Sequence, residues 1–363
     1  MNARTRTVAV AGLACLAVAV PAAAQAKTKT VDMGLNKKQA KTIGKAVTNA
    51  KTDFIDVNDF FPHGVTIHAG DKVKFVNTGA FHTVDIPAKG QGVLGLVAPD
   101  GKTVSGVNDA AGQPFAFNGA PELGFNHALL TPQFGKSVKY TGKKRVESGL
   151  PFARGDLTVR FTKAGRYRYF CDIHPHMSGR VTVRPKSKKI PSAKSDAART
   201  KNQFAAAVKE AKQVRHTQAP ANVVDVGAHG SRGVEYYQMF PSALTVHVGT
   251  TVNFRMMKGS TEDHTATFGP ADYLKPIEQS FSNPSPPDFA LDSRGVYQSE
   301  APGTLASLTP LLHGNGFWNS GVMDQATATP LPNNNSLRFD TPGTYHFFCV
   351  IHPNMHGTIT VTP

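Results

Sequence analysis

Cys171, His174 and Met177 stand in a C-x2-H-x2-M string, and Cys349, His352 and Met355 repeat it near the C-terminus. A thiolate, an imidazole and a thioether at this spacing can close on one metal ion. Soft sulfur combined with imidazole favours copper over magnesium, calcium or manganese. A copper site of the electron-transfer type needs two imidazoles and one thiolate near a trigonal plane, with a weak axial thioether. Each string supplies three of those four groups, so the second imidazole must come from a distant segment. Two pairs of histidines occupy matched upstream positions. His68 and His247 follow Ile67 and Val246, which face a core by strand alternation, so these histidines point to solvent. His82 and His264 are each followed by Thr and are the expected ligands. Two other uses of the cysteines fit less well. A Cys171–Cys349 disulfide would have to join the ends of two separate cores. Zinc takes Cys and His, but methionine is not among its usual ligands.

The elements that must carry these residues also repeat. Phe61–Phe75 matches Phe240–Phe254, each an alternating strand, a Gly-containing turn and a second strand. Gly165–Cys171 matches Gly343–Cys349; Tyr167, Tyr169 and Cys171 share one face, as do Tyr345, Phe347 and Cys349. A closing strand follows each methionine. Ala40, Ile43, Val47 and Ala50 have helical spacing ahead of the first copy, and Phe204, Val208 and Ala211 ahead of the second. The stretches 85–156 and 268–335 are rich in Gly, Pro, Asn and Ser and read as long irregular insertions, aligned only at Glu147–Leu150 and Asn319–Val322. Trp318, inside the second insertion, is expected to pack on the core. Thr83 and Thr265 are placed to tie the His loop to the Cys loop. The organisation predicted is a leader at 1–26, a first domain at 27–184, a basic exposed linker at 185–200 and a second domain at 201–363.

Composition narrows the class. The 363 residues include 33 Gly and 25 Pro with 18% charged residues, which suits loop-rich β domains better than helix bundles. Arg4 and Arg6, the apolar run Val8–Val20 and the small residues Ala22–Ala26 have the pattern of a secretory signal peptide, and Cys15 would leave with it. No later run is apolar for long enough to cross a bilayer, so an extracytoplasmic location, periplasmic or secreted, is expected. The net charge of +15 sits in the first half and the linker, while acids slightly outnumber bases after Lys201. A basic face can steer an acidic partner or simply keep the protein in solution. No nucleic-acid motif is present.

The paired C-x2-H-x2-M strings, the upstream histidines, the strand–turn–strand opening and the aromatic strand into Cys resemble the cupredoxin family of blue copper proteins. The short gap between the second His and Met is similar to that of amicyanins; plastocyanins and azurins have a longer one. The resemblance implies an all-β chain of two tandem Greek-key β-sandwich domains, each preceded by a short helix. It implies two type 1 copper ions, one on His82, Cys171, His174 and Met177, the other on His264, Cys349, His352 and Met355. It further implies one-electron transfer with a redox partner protein, usually through the exposed edge of the His after Cys.

Two other functions fit the sequence less well. A copper-binding or storage protein would more often show Met-rich or His-rich tracts, and none is present. A multicopper oxidase or nitrite-reductase-like enzyme needs a His beside the type 1 Cys as a bridge to further copper. Here the neighbours are Phe170 and Asp172, then Phe348 and Val350. A non-enzymatic electron carrier is therefore the expectation.

Overall fold

A computed structural model describes residues 26–47, 55–152, 155–283, 289–325 and 331–363. The expected leader, apart from its last residue, lies outside the described residues. Among them, no helix is long and apolar enough to cross a membrane.

The chain is mostly β, arranged as two β-sandwiches. In the first, one sheet runs in the order Phe60–Phe61, Thr28–Met33, Lys72–Asn77, Leu157–Phe161, Ser137–Tyr140. It faces a sheet ordered Val146–Glu147, Asp85–Ile86, Gly165–Phe170, Ser178–Arg184, Gly64–His68. Alternation decides which side chains go inward: Val73 and Phe75, Leu157, Val159 and Phe161, and Val181 and Val183 are all buried. The second sandwich repeats the plan. Asn334–Phe339, Thr250–Arg255, Val223–His229 and Val234–Phe240 face Ala243–His247, His356–Thr362, Gly343–Phe348 and Thr267–Phe268.

Both cores are built around the aromatic strand. The Tyr169 ring meets Phe60 and Phe75 edge-on at 4.8 and 5.0 Å. Its counterpart Phe347 lies 5.1 Å from both Phe254 and Phe268. The glycine after each methionine has its reason here. Gly179 and Gly357 are paired across the ladder with Tyr169 and Phe347, and a Cβ on either would come within 2.3 Å of that ring. Trp318 is fully buried against Phe254, as expected of a packing residue.

The two halves interlock. Ile55–Val57, from the first half of the sequence, pairs antiparallel with Val234–Phe240 and becomes the edge of the second sandwich's sheet. Helix α1 (Lys37–Val47) and helix α2 (Ala193–Val214) join them, packing Ile43, Val47, Ala207 and Ala211 with Val57, Val234 and Tyr236. The helix expected around Phe204–Ala211 is thus longer than its apolar spacing indicates. Ser192 caps it by accepting from the Ser195 amide, so Ala193–Thr200, expected as linker, are its first turns. Lys29 anchors this end of the helix by donating to the Pro191 carbonyl and to Asp196. Further along the helix, Ala207 and Ala211 are buried with Val234 and Tyr236, and alanine forms helix readily.

The long insertions are structured too. Val97–Thr103 and Pro121–Phe125 form a hairpin, and helix α3 (Ala271–Ser282) fills part of the second insertion. Phe115 and Phe117 from the first insertion pack with Leu274, Ile277 and Phe317 from the second, and with Val350 beside Cys349. His313 pairs with Asp109 across the same seam. Each insertion thus covers part of its own sandwich, as Leu129, Phe134 and Tyr140 do in the first, and packs its remainder against the other insertion.

Candidate metal centres

Each thiol sits where the aromatic strand ends. Gly165–Phe170 delivers Cys171 and Gly343–Phe348 delivers Cys349, both buried and both free thiols. The loop then folds back on itself. The Cys171 amide donates to the Met177 carbonyl at 3.0 Å and the Met177 amide to the His174 carbonyl at 3.2 Å. In the second half Cys349 and Met355, then Met355 and His352, repeat these bonds at 3.0 and 2.9 Å. The C-x2-H-x2-M spacing is what lets one turn close, with His pointing across it and Met buried beside Cys.

The upstream histidine arrives from the other side. Its loop is pinned by serines of the short aligned motifs: Ser148 Oγ accepts from the Val84 amide and Ser320 Oγ from the Ala266 amide, both at 2.9 Å. The threonines tie the two loops together. The Thr83 amide donates to Cys171 Sγ at 3.4 Å, and the Asp172 amide donates to Thr83 Oγ1 at 2.8 Å. Thr265 does the same with Cys349 Sγ at 3.3 Å and the Val350 amide at 2.9 Å.

The result is two matched triads, His82–Cys171–His174 and His264–Cys349–His352, each with its ligand atoms within 4.8 Å of one another. His82 Nδ1 and His174 Nδ1 are 2.9 Å apart, and Cys171 Sγ is 3.5 Å from His174 Nδ1. In the second triad the two Nδ1 atoms are 3.1 Å apart, with Cys349 Sγ at 3.9 Å from His264 and 3.7 Å from His352. An ion held in a trigonal plane at about 2.0 Å from nitrogen and about 2.3 Å from sulfur asks for ligand spacings of about 3.5 Å and about 3.7 Å. The nitrogen–sulfur distances meet this and the nitrogen pairs lie somewhat closer than it; the donor types are those of a thiolate- and imidazole-binding metal, and Met177 and Met355 are 2% and 1% exposed beside them. His68 and His247 stay out of both triads and bond to the carbonyls of Lys188 and Pro363. His176 and His356 are exposed at the rims.

Two features of the sites were not read from the sequence. Behind His82 and His264 lie Gly34 and Gly227, at φ +76° and +90°. A Cβ there would fall 2.4 and 2.7 Å from the Nε2 atoms of His82 and His264. The signal was available: Val31-Asp32-Met33-Gly34 and Val224-Asp225-Val226-Gly227 are another repeated string. The other feature is Glu262, which had no such signal. It aligns with Ala80, so only one repeat carries the acid. Its Oε1 lies 2.7 Å from His174 Nε2 and its Oε2 lies 3.5 Å from His352 Nε2. The resemblance placed the edge of the His after Cys at the surface. Instead the His174 side chain is 6% exposed and faces this carboxylate; that of His352 is 23% exposed. The reason is the interlocked packing, which turns the two sites toward one another.

Glu262 makes the two sites electrostatically unequal. Burial opposes charge on His174, but Glu262 and Cys171 carry its imidazole well above the ordinary range. Burial would likewise push the Cys171 thiol up, yet His174 and His82 hold it well below its usual value. In the second site burial dominates. It pushes the Cys349 thiol up, pushes His352 down despite Glu262, and with His352 takes His264 down to about 3. Burial also opposes charge on Glu262, and His174 followed by His352 and His264 keeps it below the carboxylate range. The surroundings of the first thiol favour the thiolate, and those of the second do not.

A third cluster, Asp85, Glu147 and Asp172, lies behind the first site. Burial first, then Asp172, raises Asp85 to about 8 against the opposing pull of Arg145. The matched residues in the second half are Thr267, Asn319 and Val350, where Thr267 Oγ1 simply donates to Asn319 Oδ1 at 2.7 Å.

No protein-family model matches the chain, and no curated protein is similar to it in sequence. Among solved structures it is similar to amicyanin from Paracoccus versutus (16% identity, 41% of this chain and 88% of that one, TM-score 0.22). Others are reduced auracyanin from Roseiflexus castenholzii (20%, 35% and 88%, TM-score 0.21) and a mutant fern plastocyanin (19%, 39% and 99%, TM-score 0.21). Similarity at this level carries no inference about function, which rests on the two triads.

Proposed function

We propose that the chain is an exported blue copper protein with two type 1 sites that carries single electrons to or from a partner protein. The observation that supports this is the duplicated, buried His–Cys–His triad, each thiol receiving a threonine amide and each loop closed on a methionine. His82, Cys171, His174 and Met177 would hold one ion; His264, Cys349, His352 and Met355 would hold the other. Copper, when bound, supplies a one-electron couple. The residues of the chain do the rest. The imidazoles and thiolate fix a geometry that changes little with charge, the threonine amides donate to sulfur and so tune the site, and the aromatic cores exclude water. The leader-like first 26 residues support export, and a carrier without catalysis is the reading for the whole chain. Metal analysis with a visible spectrum tests it. Two copper ions and an intense thiolate-to-copper band are expected, with Cys171→Ser and Cys349→Ser each removing about half of the band. A colourless complex, or uptake of a single ion, refutes the assignment, and oxygen or nitrite turnover with an electron donor would replace it with an enzyme.

A further inference from the structure

The carboxylate of Glu262 stands between the two triads and belongs to neither. Its Oε1 faces His174 Nε2 at 2.7 Å and its Oε2 faces His352 Nε2 at 3.5 Å. The opposite nitrogen of each of those rings, Nδ1, faces the Cys of its own triad. The carboxylate is not free to swing. Tyr237 Oη donates to Oε1 at 2.7 Å and Asn58 Nδ2 donates to it at 3.1 Å, while the Glu262 amide donates to Ser260 Oγ. Asn58 comes from the first half of the chain and Tyr237 from the second, so the pinning draws on both halves. The Tyr237 ring also packs edge-on against His352 at 4.8 Å, and Glu262 is 7% exposed. A unit charge in so dry a place is screened far less than one at the surface.

We propose that Glu262 is a shared positioning residue that couples the two metal sites. One carboxylate orients the His174 imidazole and lends the same negative charge to both sites. The proposal rests on the copper reading above. A carboxylate hydrogen-bonded to the far nitrogen of a ligating His fixes ring orientation and raises ligand basicity. Here such a group meets His174 at 2.7 Å, while His352 stands 3.5 Å from its other oxygen and feels its charge. The chain therefore holds one linked pair of centres, and they differ because the contact is closer at His174 than at His352.

The test is a redox titration of each centre by its visible band. Cys349→Ser isolates the first centre and Cys171→Ser the second, and each is measured with and without Glu262→Gln. The glutamine keeps the size and an acceptor oxygen and removes the charge. Its loss favours the reduced ion, so both isolated centres should become easier to reduce. A shift of at least tenfold in the equilibrium, about 59 mV for one electron, is expected at the first centre, and a smaller one at the second. Glu262→Asp keeps the charge and should recover part of the shift at the first centre. Retention of the band in each variant separates a change of potential from a collapsed site. An unmoved potential at either isolated centre, in a variant that keeps the visible band of that centre, overturns the coupling and leaves the copper reading standing. Loss of copper or colour in the unmodified protein overturns that reading instead.

Discussion

Gly34→Ala should damage the first site without touching a ligand. The Cβ would lie 2.4 Å from His82 Nε2, where ordinary contact begins at 3.4 Å, so ring or backbone must move by about 1 Å. The residue also sits at φ +76°, where an L side chain costs about 1–2 kcal/mol. Overpacking a filled interior adds about 1–3 kcal/mol. The copper-free variant is therefore expected to lose about 2–5 kcal/mol in urea unfolding. On copper loading it should lose the first site's share of the blue band, because His82 is pushed off its line to Cys171. Gly79→Ala is the control. Gly79 has φ +92°, close to the same loop, but nothing within 4 Å of its Cβ position. It should cost only the backbone strain of about 1–2 kcal/mol and leave both bands intact. If Gly34→Ala and Gly79→Ala behave alike, the close approach to His82 is irrelevant and the reasoning fails.

Two further predictions concern pH. Asp85 has a folded-state pKa raised to about 8, so its contribution to stability is complete below its ordinary value of 3.8 and is lost as pH rises toward 8. Asp85→Asn should raise the melting temperature more at pH 8.5 than at pH 5, since the buried amide stays neutral; parallel curves would show that Asp85 ionises freely. At the seam between the insertions, burial works against a charged His313, but Glu300 and Asp109 raise its pKa overall. Its stabilisation is therefore full below 6.5 and fades as pH climbs through the folded-state value. His313→Gln should cost about 1–3 kcal/mol at pH 6 and clearly less at pH 9 by chemical denaturation, and equal losses would exclude a charged imidazole there.

Much of each site could be read from one-dimensional spacing. The Cys, His and Met of a site lie within a single turn, and the choice of His82 and His264 over His68 and His247 followed from strand alternation. What was not legible has a common cause. Gly34 acts through a contact with the Nε2 edge of His82, opposite the Nδ1 that faces His174, and the two residues lie far apart in the sequence. The first turns of α2 read as linker because they are charged and Ser-rich and are held by Lys29 far back in the chain, while the buried alanines, Ala207 and Ala211, come later in the helix. The insertions looked irregular because Phe115 and Phe117 complete a cluster with Leu274 and Phe317 far along the chain, and no local window contains both partners.

By itself the sequence determined that two sandwich cores would form, each carrying Cys, His and Met at the end of an aromatic strand. Short periods and repeated strings encode local geometry, and duplication states that geometry twice. Only the tertiary structure decided that the two sites face each other. That arrangement comes from Ile55–Val57 crossing into the second sheet, from α1 and α2 packing together, and from the insertions closing the seam. It places Glu262, an unrepeated residue, between His174 and His352. A lone acid has no period and no partner in the string, so its role exists only once two distant surfaces meet.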